Sequence, residues 1–228
     1  MYGICNLAII PLRNEPNDRS EQVSQVLFGE HFHIIEQQKQ WFKIRLHFDA
    51  YEGWIDAKQC QLISEVDFEE ISNNAEILNN DLIEYISNEA NVLIPIPLGA
   101  SLSFLESERI NTMAYKFEGL KVTGIKPKSE LLKTAFMYLN APYLWGGKTP
   151  FGIDCSGFTQ MVYKLNGYKI HRDASQQALE GDPLSFIEEC EAGDLAFFDN
   201  DEGNITHVGI IMENNYIIHA SGKVRIDR

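Results

Sequence analysis

The sequence predicts an α+β domain in its C-terminal part, preceded by small all-β barrels. Three observations predict this. Residues 1–64 consist of short alternating stretches rich in Ile, Phe, Trp and Tyr, divided by polar or glycine-containing turns. Helical apolar spacing begins at residue 126 and fills two segments. Strand-like runs follow those helices to the end of the chain, and helices grouped before strands indicate α+β.

In chain order, "GICNLAIIPL", "EHFHIIEQQ", "WFKIRLHF" and "YEGWIDAKQCQLI" read as the strands of a first barrel over residues 1–64. Residues 65 to about 90 are acidic and Asn-rich and read as a linker or peripheral segment. Residues 92–125 return to β stretches broken by Pro and Gly, so 65–125 is assigned as a linker plus a possible degenerate second barrel. From 126, "KSELLKTAFMYLN" predicts an amphipathic helix capped by Ser129, with Leu131, Leu132, Ala135, Phe136 and Leu139 on its apolar stripe. "APYLWGGKTPFGI" is a loop. "DCSGFTQMVYKLNG" predicts a second helix, with Asp154 as N-cap and Gly167 as its stop. "AGDLAFFD" predicts a strand, and "THVGIIMENNYIIHASG" a pair of strands around an Asn-rich turn.

The composition limits the function. The chain has 228 residues, 44% of them apolar, which suits one domain of about 100 residues with one or two smaller ones. A formal net charge of -14 argues against nucleic acid and against an anionic membrane surface. No apolar run approaches the roughly 20 residues that cross a bilayer. The N-terminus lacks a basic segment ahead of its apolar stretch, so a cytoplasmic protein is expected. Cys5, Cys60, Cys155 and Cys190 are scattered without metal spacing, so free thiols and no metal or cofactor are expected.

Cys155 is the candidate nucleophile. Placed in the first turn after Asp154, it meets unpaired N–H groups and the positive end of the helix dipole, which favour a thiolate. A nucleophilic cysteine needs a base. His31, His33 and His47 alternate with apolar residues in the first barrel and read as exposed strand positions, and His171 precedes "RDAS". His207 and His219 remain. If Glu213-Asn214-Asn215 forms the loop, Met212 pairs with Tyr216, and Val208, Ile210, Met212, Tyr216, Ile218 and Ala220 share an apolar face. Gly209 then lies opposite His219, and His207 becomes its diagonal neighbour. A two-residue turn would separate the histidines and break the apolar face. The pattern therefore supports a Cys155–His207–His219 arrangement, against the plain alternative of two satisfied strand histidines.

"YLWGG", "DCSGF", "RDASQQ", "GDLAFF", "THVGI" and "YIIHASG", in this order over residues 126–228, resemble the NlpC/P60 family of papain-like cysteine peptidases. The N-terminal part resembles bacterial SH3-like domains, most clearly in "YEGWIDAKQCQLI". The whole chain is similar to γ-D-glutamyl-L-diamino acid endopeptidases. The resemblance implies that Cys155 is the nucleophile, His207 the base and His219 the third polar residue. It implies that Tyr143 helps the oxyanion site beside the Cys155 N–H, and that Trp145 walls the cleft. Asp154 and Ser156 match substrate-lining residues, with Asp154 both capping the helix and holding the substrate amine. Arg172, Asp173 and Ser175 match the segment that receives D-glutamate, Arg172 through its fork; without the family, Arg172-Asp173 would read as a solvated ion pair at a helix start.

In this subfamily the SH3-like domain closes one end of the cleft, and Tyr51 and Glu21 are the candidates there for reading a free peptide N-terminus. The expected substrate is a murein stem peptide with a free N-terminal L-Ala, cut to release L-Ala-γ-D-Glu in peptide recycling. A monomer without bound metal is expected. The alternatives are a non-catalytic wall-peptide binding module, or an amidase or acyltransferase on the same fold. Relatives usually run on for a strand or two, so the end at "SGKVRIDR" reads as short or truncated.

Overall fold

The structure is a computed structural model that describes residues 1–106 and 115–228. It divides into two compact units, Met1–Gly124 and Ile125–Arg228.

Unit 1 begins with β1 (Tyr2–Ile4), β2 (Ile9–Arg13), β3 (Gln22–Leu27), β4 (His31–Gln38), β5 (Trp41–Leu46), β6 (Glu52–Asp56) and β7 (Gln61–Ile63). Among the described residues these strands form one antiparallel sheet in the order β3-β2-β6-β5-β4-β1-β7. The sheet is open where a closed barrel was expected. Its outer strands β3 and β7 do not pair with each other, and β2 meets β6 at the single register pair Arg13↔Trp54. Alternation along the strands still gives an apolar interior, in which Ile10, Leu12, Val26, Phe32, Ile44 and Ile55 are fully buried.

The segment expected to be a linker is folded. α1 (Glu65–Asn73) starts at Ser64, whose hydroxyl accepts from the Asp67 N–H at 3.1 Å while the Ser64 N–H reaches the Asp67 carboxylate at 3.3 Å. Phe68 and Ile71 are its buried residues. β8 (Ile77–Asn79), β9 (Ile83–Asn88), β10 (Leu93–Pro97), β11 (Tyr115–Phe117) and β12 (Lys121–Thr123) follow, in two small sheets. Ile71, Ile86, Ile96, Leu102 and Phe104 share one core cluster with Ile4 and Phe28 of the leading strands. Hydrophobic burial thus holds the acidic, Asn-rich stretch in place despite its surface-like composition. Residues 107–114 of the expected second barrel lie outside the described residues.

Unit 2 begins with α2 (Glu130–Met137). Ser129 occupies its N-cap position without a side-chain cap bond. Its buried stripe is Leu131, Thr134, Ala135 and Tyr138, which is the helical i, i+3, i+4, i+7 set. Phe136 and Leu139, expected inside, are exposed. Thr134 tolerates burial because Asn166 donates to its hydroxyl oxygen at 2.9 Å.

The short hairpin β13 (Lys148–Thr149) and β14 (Gly152–Ile153) leads into α3 (Cys155–Lys164), and α4 (Ala174–Gln177) follows. α3 stops as expected, with Gly167 at φ 82°. The last strands are β15 (Leu195–Asp199), β16 (Ile205–Ile211), β17 (Ile217–Ser221) and β18 (Lys223–Asp227), an antiparallel sheet in sequence order. The hairpin takes the register that the apolar pattern predicts: Gly209 faces His219, and the Met212 N–H bonds the Tyr216 carbonyl at 2.8 Å. Asn214 and Asn215 supply the two positive φ angles of its turn. Val208, Ile210, Ile218 and Ala220 are fully buried, Met212 is half-buried, and Tyr216, expected on the same face, is exposed because it flanks the turn; α3 packs on β16 and β17.

Candidate active site

Two devices fix the start of α3. The Asp154 carboxylate accepts from the Gly157 N–H at 2.7 Å, an N-cap bond that orients the first turn and with it Cys155. Its second oxygen accepts from the Gly146 N–H at 2.8 Å, which ties the preceding loop to the helix. Gly146 has φ 74°, and a Cβ on Gly147 would lie 2.3 Å from the Gly152 carbonyl oxygen. The two glycines of "YLWGG" are thus required by the backbone path beside Cys155.

Asp154 is buried, and its charge is balanced by Arg172, which is only 1% exposed. Arg172 donates to both Asp154 oxygens, at 3.0 and 2.6 Å, and to the Ser156 hydroxyl at 2.9 Å. This differs from the three readings offered by the sequence. Arg172 is not part of a solvated helix-start pair, and two of its nitrogens face Asp154 and Ser156 where an open fork for a substrate carboxylate was expected. Nor is the Asp154 carboxylate turned outward to an amine. The physical reason is desolvation: a buried guanidinium and a buried carboxylate each need a partner, and each supplies it to the other. Gln177, which the sequence reading passed over, completes the frame. Its amide donates to the Ser156 and His171 carbonyls, and its oxygen accepts from Thr159 at 2.7 Å.

Cys155 is buried and packs with Ala174 and Val208. Burial pushes its thiol up, and the Asp154 carboxylate adds to that. Hydrogen bonds to the Val208 and Ser156 backbones and the Arg172 guanidinium pull the other way without prevailing. Desolvation therefore works against the helix dipole, which by itself favours the thiolate. Burial, and then the neighbouring His219, hold His207 below the ordinary imidazole range. Both shifts favour the neutral forms, a thiol at Cys155 and an unprotonated imidazole at His207.

His207 Nε2 lies 2.7 Å from His219 Nδ1, with the rings near perpendicular at 80°. Gly209 leaves room for this pair, since a Cβ there would meet the His219 Cβ at 3.0 Å. His219 is buried, and its Nε2 lies 3.0 Å from the Asp227 carboxylate. Asp227 is absent from the set of residues drawn from the sequence. The available signal is the alternation of "KVRID", which reads as a strand whose charged face continues that of His219.

The other expected site residues fall as follows. Tyr143 is half-buried, and its hydroxyl is pushed up by burial and then by the charges that Cys155 and Asp154 carry at the high pH where a phenol ionises, so it stays a donor near the nucleophile. Trp145 stands on the same loop, 60% exposed. Asp173 begins α4, and Ser175 in its first turn is exposed. Tyr51 and Glu21 belong to unit 1: Tyr51 packs at the margin of its core, and Glu21 is exposed.

Residues 140–228 match the NlpC/P60 family, and residues 12–59 match the bacterial dipeptidyl-peptidase SH3 domain. The chain is 32% identical to the gamma-D-glutamyl-L-lysine dipeptidyl-peptidase of Bacillus subtilis over 86% of its own length and 71% of that protein's. The chain belongs to the NlpC/P60 family. Dipeptidyl-peptidase 6 of Lysinibacillus sphaericus is 27% identical over 97% of this chain and 88% of its own. The fold is shared with a crystal structure of an NlpC/P60 family protein from Bacillus cereus, with a TM-score of 0.85, 22% identity, and coverage of 100% of this chain and 94% of that one. Among the described residues, no helix is long and apolar enough to cross a membrane, and no cluster of His, Cys, Asp or Glu could hold a metal ion.

Proposed function

We propose that this NlpC/P60 chain is a cysteine peptidase that cuts the γ-D-glutamyl bond to the diamino acid in murein stem peptides with a free N-terminal L-Ala, releasing L-Ala-γ-D-Glu. The observation that carries the reading is the pairing of His207 with His219 on the strand whose Val208 backbone bonds Cys155. Two relatives named gamma-D-glutamyl-L-lysine dipeptidyl-peptidase supply the bond type.

The chemistry follows from the resting protonation states. Because thiol and imidazole are both neutral, His207 takes the thiol proton as sulfur attacks the γ-carbonyl carbon of D-glutamate. The carbonyl oxygen gains the negative charge and is met by the Cys155 N–H and the Tyr143 hydroxyl. His207 then returns its proton to the leaving amine, the C–N bond breaks, and a thioester remains. Water, deprotonated by the same imidazole, hydrolyses the thioester and restores the thiol. In this reading Asp154 and Arg172 hold the nucleophile's frame. Ser156, Trp145, Asp173 and Ser175 line the substrate, whose N-terminal amine is free. A requirement for that amine selects peptides already trimmed from glycan, which is a recycling role.

The test is incubation of L-Ala-γ-D-Glu-L-Lys and its diaminopimelate counterpart with wild type and Cys155→Ala. Cleavage by wild type alone is expected, with release of L-Ala-γ-D-Glu. Binding by both without turnover would instead identify a peptide-binding module. Equal cleavage of an N-acetylated peptide would remove the free-amine requirement.

A further inference from the structure

We propose that Asp227, held by Arg225, is a positioning residue that sets the tautomers of both histidines and thereby selects Nδ1 of His207 as the basic nitrogen. The proposal rests on the cysteine-peptidase reading of the site.

The geometry comes from strand pairing. β18 runs antiparallel to β17 with His219 opposite Arg225 and Ile217 opposite Asp227. Asp227 is therefore the diagonal neighbour of His219 on the same face of the sheet. Arg225 donates to Asp227 Oδ1 through Nε at 3.0 Å and through a terminal nitrogen at 2.6 Å. The other oxygen, Oδ2, lies 3.0 Å from His219 Nε2.

Donor and acceptor rules then propagate inward. An ionised carboxylate only accepts, and a neutral imidazole has one N–H and one lone pair. Bonds to His219 and Arg225 hold the Asp227 carboxyl below its ordinary range, so it is ionised at neutral pH. His219 must then carry its proton on Nε2, which makes its Nδ1 an acceptor. The 2.7 Å contact between His219 Nδ1 and His207 Nε2 in turn requires His207 to carry its proton on Nε2. The lone pair of His207 is left on Nδ1, the nitrogen turned away from His219. With the opposite tautomer of His219, His207 Nδ1 would carry the proton and could not act as a base.

Arg225 makes the proposal sharply testable. Arginine has donors only, so in Asp227→Asn it selects the amide oxygen and turns the amide nitrogen toward His219 Nε2. That nitrogen donates and so favours the wrong tautomer. The isosteric Asp227→Asn is thus expected to be worse than Asp227→Ala. We expect kcat/KM to fall about 10-fold in Asp227→Ala and about 100-fold in Asp227→Asn, with KM little changed. A residue that merely supported the strand would show the reverse order. In addition, 15N NMR of the wild-type full chain at neutral pH should show both His207 and His219 protonated on Nε2, a readout independent of how the variants fold. Activity of Asp227→Ala within twofold of wild type, Asp227→Asn outperforming Asp227→Ala, or an Nδ1-protonated His219 would each overturn the proposal. Cys155→Ala is assayed alongside: if it retained full activity, the cysteine-peptidase reading would fail by itself. If it were inactive while the Asp227 variants were unimpaired, only the positioning role would fail.

Discussion

The protein carries two histidine clusters, one in each unit, and they are wired differently. In unit 1, His31 and His47 stack with ring centroids 4.6 Å apart, and both lie against Phe68 of α1 with His33 beside them. In unit 2, His207 and His219 have centroids 4.9 Å apart. The ring spacing is nearly equal, yet the hydrogen bonds run in opposite senses. The Ser72 hydroxyl donates to the Phe68 carbonyl at 2.7 Å, so its oxygen can only accept from His31 Nε2 at 3.0 Å and His47 Nδ1 at 3.5 Å. Both rings point N–H groups at that one oxygen. The His207–His219–Asp227 chain is directional, because each group accepts from the one before it. Histidine proximity is therefore not the feature that makes a base; the polarity of the chain is.

Removing the base should give the largest effect. His207→Ala is expected to lower kcat/KM by about 10²–10⁴-fold while leaving the thermal midpoint nearly unchanged, since His207 is only half-buried. The acid limb of the wild-type pH–rate profile should lie below the ordinary imidazole range. Burial and His219 depress the His207 pKa, so the neutral base persists further into acid, and activity falls as pH drops through that lowered value. A limb at or above the ordinary imidazole value would assign the base elsewhere and break the comparison.

The surroundings of the two clusters differ as well. Phe68 fills the space around the first, whereas the second shares its unit with the buried pair Arg172–Asp154. Arg172→Met leaves Asp154 buried without its main partner. Breaking such a pair costs about 3–5 kcal/mol, read as a fall in the unfolding free energy by chemical denaturation. A loss under about 1 kcal/mol would mean that water reaches Asp154 in the native protein.

Much of this was legible in the sequence, for reasons particular to each element. The β16–β17 register could be read because a one-residue slip would turn Val208, Ile210, Ile218 and Ala220 out of the core. The α3 cap could be read because Asp154 and Gly157 are local partners. The Arg172–Asp154 pair joins residues 18 apart, and nothing in "HRDAS" reveals that its arginine is buried. Asp227 became meaningful only once β18 had been paired, because a charged residue on a short strand otherwise reads as solvated. The burial that pushes the Cys155 thiol up was not legible, because a dipole can be read from a helix start, whereas desolvation depends on what packs over it.

The smallest effect tests the other arm of the comparison. The double substitution His31→Gln, His47→Gln keeps an amide donor for the Ser72 oxygen and removes both rings from Phe68. The lost ring contacts lie at centroid distances of 5.1 and 5.7 Å, edge-on to Phe68, and His47 is exposed. Aromatic contacts of this type are worth about 0.5–1.5 kcal/mol when buried, so a stability loss of about 1 kcal/mol is expected. The activity of unit 2 should stay within twofold of wild type, because these rings act on the packing around Phe68 in unit 1. A tenfold fall in kcat/KM without loss of stability would show that the unit 1 histidines act in the reaction, and hydrogen-bond polarity would then no longer separate the two clusters.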